Sequence, residues 1–295
     1  MNIGCGAHYH KDWINIDIAA HGPSVVACDI RKGIPLEDRS CDAVYHSCIL
    51  EHLSPDEGFA LLRECNRVLK PRGIVRVAVP DLKRICVLYL EKLSGAVDVI
   101  VQAENDYDWM MLEMYDQTDR EKSGGRMVEY LRQKPIPNQD FVLARIGEEA
   151  RAIMRSLTES ETLSREPDKE RTLARRLQRR LSLQRESSKI ALGALKKICV
   201  GAVVRALEAL TGEDVARYLR ESRFKSGGEI HKWMYDRFSL ARALKGAGFE
   251  SPTVMSAFES AIPAWSAYHL DALEDGSVRK PDSFFMEATS PEAVS

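Results

Sequence analysis

The chain has 295 residues, 44% of them hydrophobic and 29% charged, a balance that suits a soluble globular fold with one large core or two modest ones. Its net charge of -2 excludes a chain-wide basic field of the kind that gathers nucleic acid or anionic lipid. No apolar run reaches the roughly 18 residues of a membrane span, and no basic segment followed by an apolar stretch marks a secretory signal.

The seven cysteines, at 5, 28, 41, 48, 65, 86 and 199, are scattered without a CxxC pair, so the chain reads as a cytoplasmic protein with reduced thiols. In chain order, a short strand runs into Gly4-Cys5-Gly6, and a second, INIDI, carries Asp17. VVACDI (25–30) reads as a third strand with Asp29 near its end, and CDAVYHSCIL (41–50) as a fourth running into a turn. DEGFALLRECNRVLK (56–70) places Phe59, Leu62, Cys65 and Leu69 at helical spacing, with Pro71 and Gly73 as its stop. GIVRVAVPD (73–81) is β-branched and reads as a buried strand closed by Pro80. Strands alternating with helices predict a parallel α/β sheet.

Residues 86–228 change texture: they are long, helical and poor in strand signals. A strongly basic stretch spans 170–197, read as a solvated helix face or as a surface for an anionic partner. An apolar amphipathic helix follows over 193–212 and offers a homodimer contact. Strand and helix signals then return: a helix over 236–249, a strand over 251–260 and a last strand over 282–289. The organisation expected is a discontinuous α/β domain, 1–85 with 229–295, interrupted by a helical insertion, 86–228, that acts as a substrate lid or interaction region.

Glycines directly after a strand let backbone approach a ligand closely. Gly4 and Gly6 are so placed, and an acid at the end of the next strand, Asp17, is placed to accept from ribose hydroxyls. The dinucleotide pattern G-x-G-x-x-G fails, because Tyr9 occupies its third glycine and only about ten residues separate Gly6 from Asp17, too few for a crossover helix. A pyrophosphate would lose its usual helix N-terminus.

NIGCG, WINIDI, the run from CDI to CILEHL, and LLRECNRVLKPRGIVRVAVPD, in that order, resemble the class I S-adenosylmethionine-dependent methyltransferases, closest to the type 11 group. DWMMLEMYDQTDREKSGGRM, GEIHKWMYDRFSL and LDALEDGSVRKPDSFFMEA are similar to a bacterial subgroup of these. The resemblance implies a Rossmann-like seven-stranded sheet, mostly parallel with an antiparallel last strand, and S-adenosyl-L-methionine as cofactor. It implies that Gly4, Cys5 and Gly6 face the methionine part, Asp17 the ribose, Asp29 with Ile30 the adenine, and Ser47 the sulfonium. The sequence departs from the family in its first strand, where only Met1 to Ile3 precede Gly4, and in its first helix, which is shortened to a loop; a longer native N-terminus is the alternative to a three-residue strand. The function expected is methyl transfer to a small-molecule or glycan acceptor. A nucleic-acid methyltransferase using the basic stretch, disfavoured by the net charge, and a non-catalytic scaffold are the alternatives.

Catalytic candidates come from strand ends and the insertion's boundaries. His52 is a base or merely shapes the pocket beside a locally paired Glu51. Asp81 faces the pocket or caps a helix. His231 is a second base in the cluster HKWMYD, whose aromatics pack. A metal is the alternative reading of this run, which is similar to a Glu-x-x-Glu-His run of some quinone O-methyltransferases; here Cys48 stands at the earlier position, so no metal is expected. Met110, Met111 and Met114 form a helix face, and Asp116, Gln117 and Arg120 precede a Ser-Gly-Gly hinge suited to a lid.

Overall fold

The computed structural model describes residues 1–20, 22–98, 101–165, 203, 213–225 and 227–292. The basic stretch 170–197, and all of the apolar helix expected over 193–212 except Val203, lie outside them, as does the dimer contact expected there.

Strands β1 (Asn2–Ile3), β2 (Asn15–Asp17), β3 (Val25–Ala27), β4 (Cys41–Ser47), β5 (Leu69–Pro80), β6 (Glu250–Met255) and β7 (Ser283–Thr289) form one sheet in the order β3-β2-β1-β4-β5-β7-β6. β1 to β5 are parallel, and β7 is antiparallel to both β5 and β6. This is the Rossmann-like methyltransferase sheet that the sequence implied. The strand order reverses between β1 and β4, and in such sheets the ligand crevice opens beyond the carboxyl ends of the strands at that point.

The described helices are α1 (Pro55–Val68), α2 (Leu82–Val97), α3 (Val101–Met111), α4 (Gly125–Leu131), α5 (Gln139–Arg165), α6 (Glu213–Lys225) and α7 (Arg237–Gly246). α1 starts on a capping box: Ser54 accepts from the Glu57 N–H, and Glu57 accepts from the Ser54 N–H. It buries Leu61, Leu62, Cys65 and Val68. α7 repeats the device with Asp236 and Ser239 and buries Leu240 and Leu244. Together these side chains close one sheet face over Ile3, Ile16, Val44, Val75 and Val77.

Three element ends differ from the sequence reading. α1 stops at Val68, and Leu69 opens β5 opposite Cys41, while Phe59 is 38% exposed rather than buried. Pro71 has no N–H to extend a helix, and Arg72 turns through a left-handed conformation at φ 62. β3 stops at Ala27, because Asp29 caps a 3-10 turn over Ile30–Lys32. β6 stops at Met255, because the Ser256 hydroxyl accepts from the Phe258 and Glu259 N–H groups and its carbonyl accepts from Arg76.

The other sheet face has no α-helix between β1 and β4 among the described residues. Around β4 it is covered by aromatic side chains from connecting segments: Trp13, Trp265 and Tyr268 meet one another edge-on, and Trp13 and Trp265 also meet Tyr45. Beneath them lies Arg76, fully buried, 2.7 Å from both Asp271 and Glu287 and stacked 4.5 Å over the Trp265 ring. Tyr45 donates its hydroxyl to Asp271 at 2.6 Å. The buried charges are thus paired and hydrogen-bonded, the condition under which an interior accepts them.

Two compact units are found. Met1–Ile153 with Gly228–Ser295 form one, which holds the sheet; Met154–Gly227 form the other, whose described part is helical. No helix among the described residues is long and apolar enough to cross a membrane.

Candidate active site

The glycine loop sits at the carboxyl end of β1. Gly4 and Gly6 both have left-handed φ, +62 and +54, which a side chain disfavours. A Cβ on Gly4 would overlap Ile49, whereas one on Gly6 would meet no atom within 4 Å. Gly4 is therefore packed from beneath, and Gly6 borders open space. Asp17 ends β2, where its carboxylate accepts from the Gly6 N–H at 2.8 Å and the Ala19 N–H at 3.2 Å. Cys5 is buried between the glycines.

The other expected cofactor residues line up along the same strand ends. Asp29 accepts both arms of the Arg31 guanidinium, at 2.8 and 3.0 Å, and this hydrogen bonding holds its carboxyl below the usual range. Ile30 begins the turn that Asp29 caps. The Ser47 hydroxyl, at the end of β4, accepts from Arg279 at 3.2 Å. Cys48 follows in a left-handed conformation, φ 55, which is strained for a residue with a Cβ.

On the far side of Cys48 lies a cavity of about 420 Å³. Its wall comes from the segment after β4 (Cys48, Glu51, His52), the end of β5 (Pro80), the segment between α3 and α4 (Gln117, Arg120), the helices α4 and α5 (Met127, Glu149) and two returning segments (Glu229 with His231, and Lys280 with Asp282). Two of the expected catalytic residues, His52 and His231, meet here, with ring centroids 4.9 Å apart. Asp81 is not among the lining residues. It caps α2 by accepting from the Arg84 N–H and sits 3.6 Å from Arg237. The polar group before the Ser-Gly-Gly hinge also comes to this wall: Gln117, Arg120, Ser123 and Gly124 line it, and Arg120 pairs with Asp116 and Glu229.

Burial sets the electrostatics. It pushes the fully buried Glu51 carboxyl up to about 7, Asp282 up to about 6 and the Cys48 thiol up to about 12. It pushes His52 down, and His231 down to about 3 with help from His52 itself. Both shifts favour the neutral imidazole, the form that presents a lone pair. Lys280 keeps its charge: burial opposes it, but Cys48 and Glu149 outweigh that and raise its pKa.

Lys280, Asp282 and Arg279 were not singled out in the sequence. The signal for them lies in β7: an antiparallel last strand begins at the edge where its parallel neighbours end, so the residues just before Ser283 must arrive at the crevice.

Residues 2–77, about a quarter of the chain, match a family model described as a methyltransferase domain. Among curated proteins no match is found. Solved structures similar to the chain include the complex of the Haloferax volcanii Trm112 methyltransferase activator with its assigned methyltransferase (9% identity, 99% of this chain and 81% of that one, TM-score 0.33). A protein of Bacillus halodurans C-125 assigned as a methyltransferase is similar at 13% identity over 90% of this chain and 81% of that one, TM-score 0.26. PKMT2 from Rickettsia typhi, solved in complex with AdoHcy, is similar at 11% identity over 99% of this chain and 48% of that one, TM-score 0.30. The match over residues 2–77 falls on strands β1 to β5 of this sheet, so the segment that carries the glycine loop and the strand-order reversal is similar to a methyltransferase domain.

Proposed function

We propose that the chain is an S-adenosyl-L-methionine-dependent methyltransferase acting on a small-molecule or glycan acceptor. The observation that carries this reading is one arrangement: a glycine loop tied to Asp17 at the strand-order reversal, with a walled polar cavity that begins at Cys48, the residue after the neighbouring strand β4.

The residues fit the cofactor. Open space borders Gly6, an acid fixed at the end of β2 suits ribose hydroxyls, and Ile30 with Asp29 stands one strand further for the adenine. Among the described residues no helix follows β1, so the loop lacks the helix N-terminus that a pyrophosphate favours. When bound, the cofactor supplies a methyl group already activated by the sulfonium charge.

The chain's own residues then have two tasks. Gly4, Cys5, Gly6 and Asp17 hold one reactant; the cavity wall holds the other. Fixing two reactants in line contributes much of the rate in such displacements. In the cavity, Lys280 and Arg120 offer donors, and His52, His231 and Asp282 offer acceptors, a mixed set suited to a polyhydroxylated or otherwise polar acceptor. Gln117, Arg120, Ser123 and Gly124 on the wall, in a short helix and the turn after it, suit a lid that excludes water. A volume of about 420 Å³ admits a small molecule or a terminal sugar. The six described cysteines carry no disulfide, in keeping with a reducing compartment such as the cytoplasm.

The test is transfer of labelled methyl from the cofactor into fractionated cell extract. Label is expected in the small-molecule or glycan fraction. Label confined to RNA, DNA or protein overturns the acceptor class, and no label in any fraction overturns the enzymatic reading.

A further inference from the structure

The two histidines of the cavity wall belong, with Glu51, to a cluster whose chemistry goes beyond substrate contact. Glu51, His52 and His231 each offer one ligand atom, and these atoms lie within 4.8 Å of one another. Glu51 is fully buried, yet neither carboxylate oxygen has a hydrogen-bond partner among the described residues; the same holds for Nδ1 of the buried His231. A buried carboxylate whose oxygens lack a protein partner is a place for a group that satisfies them. The Nδ1 atom of His52 lies 3.2 Å from the Ile230 carbonyl oxygen, a bond that requires the proton on Nδ1 and leaves the Nε2 lone pair available. The backbone locks the cluster from both sides: the Lys232 and Trp233 N–H groups donate to the Glu51 carbonyl, and the His231 N–H donates to the Gln117 carbonyl.

We infer that Glu51, His52 and His231 form a binding site for one divalent transition-metal ion of the zinc type, with its remaining coordination position open to the cavity. Two imidazoles and one carboxylate are a donor set for such ions, and a histidine whose other nitrogen is held by a backbone carbonyl has its tautomer and ring orientation fixed. Donors in a tetrahedral site with bonds of ~2.0–2.2 Å stand roughly 3.4 Å apart, so the side chains close inward by about an ångström around the ion. The charged groups facing the cluster are Lys280 and Arg120, which oppose a cation, and Glu149, Glu229 and Asp282, which favour one. The site is argued from the cavity wall alone, so it stands or falls separately from cofactor binding.

The experiment uses the full chain, stripped with a chelator and then titrated with zinc against a chromophoric competitor and with cobalt under visible spectroscopy. One equivalent per chain is expected, with intense cobalt d–d bands of low coordination number. Glu51→Gln, His52→Gln and His231→Gln are each expected to weaken zinc at least tenfold, while His10→Gln, outside the cluster, leaves it unchanged. Binding of S-adenosylhomocysteine is expected to be the same in His231→Gln as in the parent chain, which separates metal loss from misfolding and from failure of the cofactor site. Absence of a stoichiometric equivalent in the parent chain overturns the inference. So does unchanged zinc affinity in any of the three cluster variants that retains S-adenosylhomocysteine binding, since the metal would then sit elsewhere.

Discussion

At the residue scale, the two glycines of the opening loop do different work. Both are left-handed, which costs a side chain ~1–2 kcal/mol, but only Gly4 is pressed against Ile49. Gly4→Ala is therefore expected to lose more stability in urea denaturation than Gly6→Ala. Gly6→Ala, whose methyl group points into the space assigned to the cofactor, is expected to lose more S-adenosylhomocysteine affinity, by at least tenfold. The reverse ranking contradicts this account of the loop. His46 gives a second residue-scale outcome. It is fully buried in β4 with neither ring nitrogen partnered among the described residues, and burial pushes its pKa down to about 4. The unfolded chain takes up a proton below the ordinary histidine range, near pH ~6.5, while the folded chain resists until about 4. Its contribution is complete above that upper value and is lost on acidification, by about 2–3 kcal/mol at pH ~4.5. His46→Leu is expected to show a smaller fall in stability between neutral pH and pH ~4.5 than the parent chain; equal falls count against it. The glycines and Asp17 were legible because a turn and its strand-end acid are local in sequence. The isolation of His46 was not, because burial by flanking strands leaves no local trace.

At the scale of elements, strand cores follow the sequence closely, while element ends follow tertiary contacts. β6 ends where Arg76 takes the Ser256 carbonyl, and α1 ends where Leu69 joins the ladder beside Cys41. Periodicity could not foresee either, since both partners lie far along the chain. Arg76 is the pin of the face covered by Trp13, Trp265 and Tyr268: it joins β5 to Glu287 of β7 and to Asp271 in the loop before it. Removing one partner of a buried ion cluster leaves charge uncompensated and costs about 3–5 kcal/mol. Arg76→Ala is expected to lose stability in that range by urea denaturation, and Asp271→Asn less, because an amide still accepts from the Tyr45 hydroxyl. A loss below ~1 kcal/mol for Arg76→Ala shows that the network is not holding this face.

At the scale of the whole molecule, the mostly parallel seven-stranded sheet and its reversed last strand were implied by the resemblance that the ordered motifs carry, and the family match over residues 2–77 falls on the first five of those strands. The cavity was only half readable. His52 and His231 were marked by residue type, but Glu51, Lys280 and Asp282 gain their character from burial that assembles several separate segments. Asp81, marked for the same reason as His52, serves α2 as its cap. The central claim is that Gly4, Gly6 and Asp17 build a nucleoside site at the strand-order reversal. Isothermal titration of the full chain and of Asp17→Ala with S-adenosylhomocysteine tests it most directly. One site per chain is predicted, weakened more than tenfold, or ~1.4 kcal/mol, by Asp17→Ala. No binding at hundreds of micromolar, or an affinity unchanged by Asp17→Ala, would contradict it.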